Sequence, residues 1–374
     1  MRFLHTGDIH LGRKINNLSL LADQEYILNQ IVDICVREEV DCLFVCGDIY
    51  NNTSPTPDSM SVLDDFLNKL ANNNIKTFII YGNHDSDLRV AYLSNLVRKS
   101  NIYLSDKFNG NIESIAISDE YGEIVIHLLP FVKPSNVKRF YPNAKIESFE
   151  DSIRVILENH PIDKSKRNII LAHQNITGAE FSDVEEKYIG GLDNINANVF
   201  DDFDYVALGH IHKAQVIERD TLRYAGSIMK YSFSEERHTK SVTLVDIKDK
   251  TEEGLDVNIS LIPLEPRYNL RTIRGTFEEV KNMEPSNDFI RIILTDEDVN
   301  PDARNILFSQ FPNVVSCIVD SNKTKKDILV NNDLEIENLS IIDLFKEFYK
   351  LQNNNCSLSE EHLNILTKII NDLK

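Results

Sequence analysis

Cysteine is scarce in this sequence, with five residues of that type among 374. An odd number of cysteines scattered along a chain of this length does not build a disulfide framework. Cys42 and Cys46 would lie on one face of a strand, where a free cysteine behaves as a small buried hydrophobic residue. We therefore interpret these thiols as structural, ahead of a redox or metal-binding role.

Long apolar runs are also missing from the sequence. No run approaches the roughly 20 residues that a bilayer-spanning helix needs. The amino terminus enters a predicted strand within its first residues, without the charged, apolar and small-residue regions of a secretory signal. With 42% hydrophobic and 26% charged residues, the composition is that of an ordinary globular protein. We expect no membrane contact and a cytoplasmic location.

Positive charge is in deficit, because 40 lysines and arginines face 59 aspartates and glutamates, for a net charge of −19. Affinity for nucleic acid comes largely from lysine and arginine side chains that neutralise phosphates, and an acidic protein is repelled at long range. The composition therefore disfavours tight DNA binding by this chain alone. Such a function would need bound divalent cations, a local basic strip or a partner that supplies the affinity.

One pattern is repeated, in which a short hydrophobic run ends in aspartate, asparagine or histidine. The run at 77–81 leads into Gly82-Asn83-His84-Asp85, and runs at 2–6, 43–46, 169–172 and 205–208 end in the same way. Their β-branched and aromatic residues predict strands. The carboxyl ends of parallel strands are where an open α/β sheet binds its ligands. The polar residues at the five strand ends are Asp8, His10, Asp48, Asn83, His173, His210 and His212.

These side chains have the chemistry of a metal site. Carboxylate, amide oxygen and imidazole bind Mn²⁺, Fe²⁺ or Zn²⁺, and no thiolate is among them. Seven ligands are too many for one ion, but they suit two ions that share a carboxylate about 3.5–4 Å apart. Either Asp-x-His or Gly-His-x-His alone would more often be a surface loop. Five such motifs in succession, each at a strand end, predict a binuclear site.

The order of motifs, D-x-H, G-D, G-N-H-D, H and G-H-x-H, resembles that of the calcineurin-like metallophosphoesterases. Within them the chain is most similar to the SbcD family of nuclease subunits, through residues 171–174 and 207–212. Residues 224–227, 230–235, 240–246 and 294–298 extend the similarity over nearly the whole chain. Asn175 departs from the pattern, because an aromatic or other apolar residue more often follows His-Gln there.

The resemblance implies a four-layer α/β/β/α sandwich with a small α+β capping domain and C-terminal helices. We expect the nuclease domain at 1–264, the DNA-orienting capping domain at 265–320, and a linker with C-terminal helices at 321–374. Pro263 and Pro266 mark the first boundary because proline interrupts both helices and ladders. The strands after residue 222 are expected to supply much of the second sheet.

Hydrophobic periodicity predicts the individual elements. Helices are expected at 20–40, 58–70, 88–99, 148–159 and 301–311. Later strands are expected at 124–129, 222–225, 242–247, 257–262, 270–273, 289–294 and 314–319. Ser340 and Ser357 begin two further helices in capping-box spacing. This pair either packs back as a hairpin or, as the resemblance implies, holds the coiled-coil base of an SbcC-like ATPase.

The resemblance also implies a role for each site residue. Asp8, His10 and His212 would hold the first metal, Asn83, His173 and His210 the second, and Asp48 would bridge them. His84 would contact the scissile phosphate, either as proton donor to the leaving oxygen or only to orient it, and Asp85 would orient the imidazole. Arg13, Lys14 and Arg89 are candidates for phosphate contact, whereas His5, His127, His160, His238 and His362 are interpreted as structural or exposed.

The function implied is that of a Mn²⁺-dependent DNA nuclease, a double-strand exonuclease and single-strand or hairpin endonuclease. It would work as a homodimer with an SbcC-like ATPase, in a heterotetramer, in DNA repair, recombination and replication. Two alternatives stay open: a phosphodiesterase or phosphatase for small substrates, and a non-catalytic scaffold. The sequence leaves undecided the strand polarity, the native metal and whether two copies pair without the ATPase.

Overall fold

The computed structural model describes residues 1–92, 94–183, 185, 193–251, 254–296 and 302–320, together with 342, 345–346, 349 and 362–363. It divides into two compact units, Met1–Thr272 with Asn287–Ile290, and Ile273–Ser286 with Arg291–Lys374. Apart from those few positions, the predicted C-terminal helices that begin at Ser340 and Ser357 lie outside the described residues. No helix in the described ranges is both long enough and apolar enough to cross a bilayer.

The larger unit alternates strands and helices in its first half. The strands are β1 (Arg2–Thr6), β2 (Lys14–Ile15), β3 (Leu18–Ser19), β4 (Cys42–Cys46), β5 (Lys76–Ile80), β6 (Ile102–Leu104), β7 (Glu113–Asp119), β8 (Gly122–Leu129), β9 (Arg167–His173), β10 (Tyr205–Gly209), β11 (Gln215–Ile217), β12 (Arg219–Tyr224), β13 (Ser241–Thr251) and β14 (Gly254–Pro263). The helices are α1 (Leu21–Arg37), α2 (Pro57–Asn72), α3 (Asp87–Val90), α4 (Ser94–Val97), α5 (Pro134–Lys138) and α6 (Phe149–Glu158).

Two six-stranded sheets form the centre of this unit. The first has the order β14-β13-β1-β4-β5-β6, in which β1, β4, β5 and β6 run parallel and β13 pairs antiparallel with β1. The second has the order β11-β12-β10-β9-β8-β7, with β12, β10, β9 and β8 parallel. The predicted strands that carry the polar residues therefore belong to both sheets, three to the first and two to the second.

The main core lies between the sheets. Phe3 of β1 contacts Phe44 of β4, with ring centroids 4.5 Å apart, and Tyr205 of β10, at 5.2 Å. A second core joins the outer face of the second sheet to α6 through Ile153 and Ile156. On the other side, α1 and α2 are the crossover helices of the parallel strands and bury one apolar face each. The predicted order helix, sheet, sheet, helix is confirmed.

Two local predictions are wrong. The late strands β13 and β14 were expected in the second sheet, but they extend the first sheet. Of the strands that follow β10 in the larger unit, β11 and β12 are the ones that join the second sheet. The alternation of a half-buried strand shows which face is apolar but not which sheet it joins. The single helix predicted at 88–99 is broken into α3, α4 and a 3₁₀ turn at Arg98–Ser100. Leu88 and Leu96 are exposed there, so no continuous apolar face supports a longer helix.

The chain from residue 270 forms a small α+β module. Its strands β15 (Leu270–Gly275), β16 (Phe289–Leu294) and β17 (Val314–Val319) make a three-stranded sheet in that order. Its helices are α7 (Phe277–Lys281), which begins with a capping box between Thr276 and Glu279, and α8 (Ala303–Gln310). The division between the compact units falls within β15, eight residues after the boundary expected at 264.

Candidate metal centre

The polar residues lie where the parallel strands of both sheets end. Asp8 follows β1, Asp48 follows β4 and Asn83 follows β5, whereas His173 ends β9 and His210 follows β10. Asp8, His10, Asp48 and His210 all have positive φ, between 48° and 104°. Such conformations are strained for residues with a Cβ, and they cluster at functional sites. The backbone therefore turns sharply at these four residues, where the strands of the two sheets end.

Glycines let neighbouring strand ends approach each other, both across the two sheets and within the first sheet. A Cβ on Gly209 would lie 1.8 Å from the Cys46 carbonyl oxygen, and one on Gly82 would lie 2.1 Å from Asp48 Oδ1. Neither distance is sterically possible. The approach of β10 to β4, across the two sheets, thus depends on the missing side chain of Gly209, and that of β5 to β4 on that of Gly82.

The first group of ligand atoms surrounds His10. Its Nε2 lies 3.1 Å from Nε2 of His212 and 3.5 Å from Oδ2 of Asp48, and all three side chains are buried. Asp8 completes a set with His10 and His212 in which one ligand atom from each lies within 4.8 Å of the others. Two imidazole nitrogens facing each other beside carboxylates fit a shared cation, which accepts lone pairs from all of them.

The second group surrounds His173. Its Nε2 lies 3.4 Å from Asp48 Oδ2 and 3.1 Å from Asn83 Oδ1, which in turn lies 3.0 Å from Nδ1 of His210. The Asp8 carboxylate accepts the backbone N–H of His210 at 2.9 Å. The structure therefore brings all seven predicted ligands together, with Asp48 beside both groups. This donor set of imidazole and oxygen atoms fits divalent metal ions.

The protonation equilibria reflect this crowding. Burial lowers the pKa of His210 to about 3 and that of His10 well below its usual value, which leaves both imidazoles neutral. Burial opposes ionisation of Asp48, but the charge and hydrogen bond of His173 hold its pKa well below the usual range. In His173 burial is likewise outweighed by Asp48, which raises the imidazole pKa to about 9. In the metal-free site, a proton shared by His173 and Asp48 therefore provides the positive charge that a bound cation would otherwise supply.

Several contacts behind the ligands were not anticipated from the sequence. Gln24 of α1 donates to the carbonyl oxygens of Ile9 and His10, at 2.8 and 2.7 Å, and accepts the N–H of Gly12 at 3.0 Å. Glu235 Oε1 lies 3.1 Å from Nδ1 of His212. Gln24 could have been noticed in the sequence as a polar residue on the buried face of a predicted helix. Glu235 had only its place in the segment similar to the SbcD family.

Asp85 does not orient the imidazole of His84, contrary to expectation. Its carboxylate accepts backbone N–H groups of Ile49, Tyr50 and Gly82, at 3.1, 2.9 and 2.9 Å. Both oxygens are thereby directed to the backbone. Nδ1 of His84 lies instead 3.1 Å from the carbonyl oxygen of Asn51. With its side chain 22% exposed and Nε2 4.0 Å from Asp48 Oδ2, His84 lies at the opening of the site.

Other residues named from the sequence lie around this centre. Asn175 donates to Asp193 and Asn194, at 2.9 and 2.8 Å, and so is directed to its own loop. The guanidinium of Arg13 lies 5.5 Å from the ring centroid of Tyr231. Lys14 and Arg89 are exposed. His5 is buried, and its Nε2 is hydrogen-bonded to the Leu208 carbonyl oxygen. Nδ1 of His127 lies 2.8 Å from Nε2 of His160, beside the Ser114 hydroxyl group.

Comparison with known proteins identifies the family. The calcineurin-like phosphoesterase family matches residues 1–214. The SbcD subunit of the SbcCD nuclease from Staphylococcus saprophyticus is 30% identical over an alignment that covers 97% of this chain and 94% of that protein. The chain belongs to the SbcD family of calcineurin-like phosphoesterases. As a member of this family it is a metal-dependent phosphoesterase.

A second family model matches the C-terminal part of this SbcD family member. Residues 266–353 match the type 5 capsule protein repressor C-terminal domain. Among solved structures, a dimetal phosphatase from Danio rerio shares 13% identity and a TM-score of 0.40, over 71% of this chain and 99% of that one. The protein TT1561 of Thermus thermophilus shares 12% identity and a TM-score of 0.37, over 64% and 92%.

Proposed function

We propose that this chain is the nuclease subunit of an SbcCD-type complex and hydrolyses DNA phosphodiesters with two Mn²⁺ ions. The observation that carries the proposal is the convergence of seven candidate ligands, six of them buried and Asn83 partly buried, at the joint edge of two sheets, beside a partly exposed histidine. Asp8, His10 and His212 would hold one ion, Asn83, His173 and His210 the other, with Asp48 shared. Two bound cations neutralise the phosphate and lower the pKa of a bound water.

In this proposal the protein's side chains position the ions and the substrate, and His84 transfers one proton. The Asn51 carbonyl oxygen accepts Nδ1–H of His84, which leaves Nε2 for the substrate. We propose that a doubly protonated His84 donates from Nε2 to the leaving oxygen and then remains as the Nδ1–H tautomer that Asn51 stabilises. The neutral amide of Asn83 limits the negative charge that an incoming phosphate meets.

The acidic balance of the chain supports the need for a partner. At a net charge of −19, long-range attraction of DNA must come from elsewhere. We propose that an SbcC-like ATPase supplies it, bound through the helices predicted within the C-terminal segment 321–374, and that the module at 265–320 orients the DNA. Exonuclease and hairpin endonuclease activity in repair, recombination and replication, and a cytoplasmic location, belong to the same proposal.

We further propose that two copies pair through apolar residues of α2 and the 87–97 segment. Met60, Leu88, Tyr92 and Leu96 are between 49% and 72% exposed. Exposed apolar side chains that group into one patch mark interaction surfaces, and the variants below test whether these four do. Sedimentation of the L88D/L96D variant should show a monomer where the native chain shows a dimer, and V216D, at an exposed valine elsewhere, should sediment as the native chain does. An unchanged dimer in L88D/L96D would place the contact elsewhere.

The decisive experiment is cleavage of a labelled linear duplex in Mn²⁺, with and without an SbcC-like ATPase and ATP. Weak cutting by the chain alone, strongly raised by partner and ATP, is expected. EDTA should abolish both. A chain that holds two metals and hydrolyses bis(p-nitrophenyl) phosphate, yet cuts no DNA under either condition, would instead be a small-substrate phosphodiesterase.

A further inference from the structure

We propose that Glu235 is a positioning residue, whose carboxylate fixes the tautomer of His212 so that Nε2 faces the cation. The inference rests on the proposed metal site and deepens it. Glu235 ends a 3₁₀ turn at Phe233–Glu235 and is fully buried, although it carries no motif of a metal ligand. A buried carboxylate needs an explanation, because glutamate is almost never fully buried without a partner.

Its two oxygens have separate partners. Oε1 lies 3.1 Å from Nδ1 of His212, and Oε2 accepts a hydrogen bond from Lys240 Nζ at 2.6 Å. Lys240 uses its other protons on the Ser227 hydroxyl oxygen, at 2.7 Å, and the His212 carbonyl oxygen, at 2.8 Å. The ammonium group therefore compensates the carboxylate without competing for Oε1. Glu235 remains an ionised acceptor for the imidazole.

The contact with Glu235 determines which tautomer the neutral imidazole of His212 adopts. An ionised carboxylate only accepts hydrogen bonds, so Nδ1 must carry a hydrogen. In the neutral imidazole Nε2 consequently keeps its lone pair, and this is the nitrogen that lies 3.1 Å from Nε2 of His10. The hydrogen bond at one ring nitrogen determines the state of the other. Only this tautomer can bind a cation together with Asp8 and His10.

A carboxylate does more here than a neutral acceptor would. Nδ1 of His173 lies 2.8 Å from the Cys46 carbonyl oxygen, which can fix a tautomer but brings no charge. A carboxylate behind a ligating histidine also raises the basicity of the ring, and loss of such a partner typically weakens metal binding about 10–100-fold. We therefore expect the site of Asp8, His10 and His212 to depend on Glu235 more than the site of His173 does.

The test compares E235Q and E235L/K240M with the control E180Q. Glu180 is an exposed glutamate that pairs with Lys213, outside the site. E235Q keeps an acceptor but loses the charge. The double variant removes both buried charges together, so neither is left uncompensated, and it keeps the test valid should E235Q fail to fold. Mn²⁺ stoichiometry and affinity are measured by calorimetry, and the His212 tautomer by ¹⁵N NMR in the metal-free protein.

We expect both Glu235 variants to bind Mn²⁺ about 10–100-fold more weakly at one of two sites, with the other site unchanged. The Nδ1–H signal of His212 should give way to a mixture of tautomers in E235L/K240M, which has no acceptor at that position, and E180Q should behave as the native chain. Two sites of native affinity in both variants, with an unchanged tautomer, would overturn the inference whatever their melting temperatures. Failure of the native chain itself to bind two ions would instead refute the proposed function.

Discussion

At the scale of single residues, Asp85 shows how a ligand loop is held in place. Its carboxylate joins the turn after β4, through the N–H groups of Ile49 and Tyr50, to the turn after β5, through that of Gly82. These two turns carry Asp48 and Asn83. Asp85 therefore stabilises the backbone on which two ligands are mounted, and its effect on His84 is indirect.

Replacing Asp85 by asparagine should consequently affect stability and metal binding together. The amide offers one acceptor oxygen and directs an NH₂ group at a backbone donor, at a cost of about 1.5–3 kcal/mol for hydrogen bonds to a charged group. We expect D85N to lower the free energy of unfolding by that amount and to weaken Mn²⁺ binding. Urea denaturation and calorimetry test this. A variant with native stability and metal content but reduced cleavage would restore the role first expected for Asp85.

His84→Gln should have the opposite profile. The imidazole lies at the opening of the site, and its Nδ1 hydrogen-bonds to the carbonyl oxygen of Asn51. Loss of a general acid typically costs 10²- to 10⁴-fold in rate, so we expect cleavage to fall by about that factor with two ions still bound. Single-turnover cleavage with parallel metal analysis measures both. Full activity in H84Q would refute the proton transfer proposed for His84.

The seven predicted ligands could be grouped from the sequence because each lies at the end of a recognisable strand. Their supporting contacts could not, since Gln24 reaches Tyr231 and Glu235 reaches His212 only after distant segments have packed. A single glutamate in a polar stretch gives no sign of being buried. Hydrogen-bond partners of this kind follow from tertiary structure and not from local pattern.

At the scale of elements, the close approach of strand ends from different sheets determines whether the site forms. Gly209 brings the end of β10 against that of β4, where any Cβ would collide with the Cys46 carbonyl oxygen. Composition predicted most strands of the two large sheets, and β16 and β17 have the predicted bounds, but β6, β7 and β11 were missed and β13 and β14 are longer than expected. The sequence did not predict which sheet each strand joins, because pairing partners such as β1 and β13 lie more than 200 residues apart in the chain.

Gly209→Ala should therefore separate the two sheet edges. Overpacking of this kind typically costs about 1–3 kcal/mol, and the displacement lies beside both ligand groups. We expect lower stability and weaker binding of both ions, measured by denaturation and calorimetry. Gly122→Ala is the matched control, since Gly122 has positive φ but a Cβ added there would meet no atom within 4 Å. It should lose stability alone, and equal metal loss in both variants would contradict this account.

At the scale of the whole molecule, the sandwich is also tied at the opposite ends of its strands. Arg167, at the start of β9, donates to Asp119 of β7 at 3.0 Å and to the Lys248 carbonyl oxygen of β13 at 2.9 Å. The second sheet is thereby joined to the first, away from the metal ligands. Burial opposes ionisation of Asp119, but the hydrogen bonds from Arg167 and the Met1 amino group hold its pKa well below the usual range.

This pKa shift predicts a pH dependence. A carboxyl whose pKa is lower in the folded chain stabilises the fold above its unfolded pKa of about 3.9, and the contribution is lost as the pH falls below that value. D119N should lower the free energy of unfolding by on the order of 2 kcal/mol at pH 7, and the difference from the native chain should narrow below about pH 4. Urea titrations at several pH values test this. D256N, at an exposed aspartate, should change little, and a pH-independent D119N deficit would exclude the ionic origin.

The pairing of β13 with β1 has a consequence for biosynthesis. Asp8 and His10 are translated first, but β1 remains an edge strand on one side until residues 241–251 have left the ribosome. His210 and His212 also come late, after the strands of both sheets that they face. A nascent chain therefore holds only part of the ligand set for most of its synthesis. The candidate metal site can therefore close only after residues 241–251 have emerged, so a shorter nascent chain lacks the arrangement needed to bind both ions.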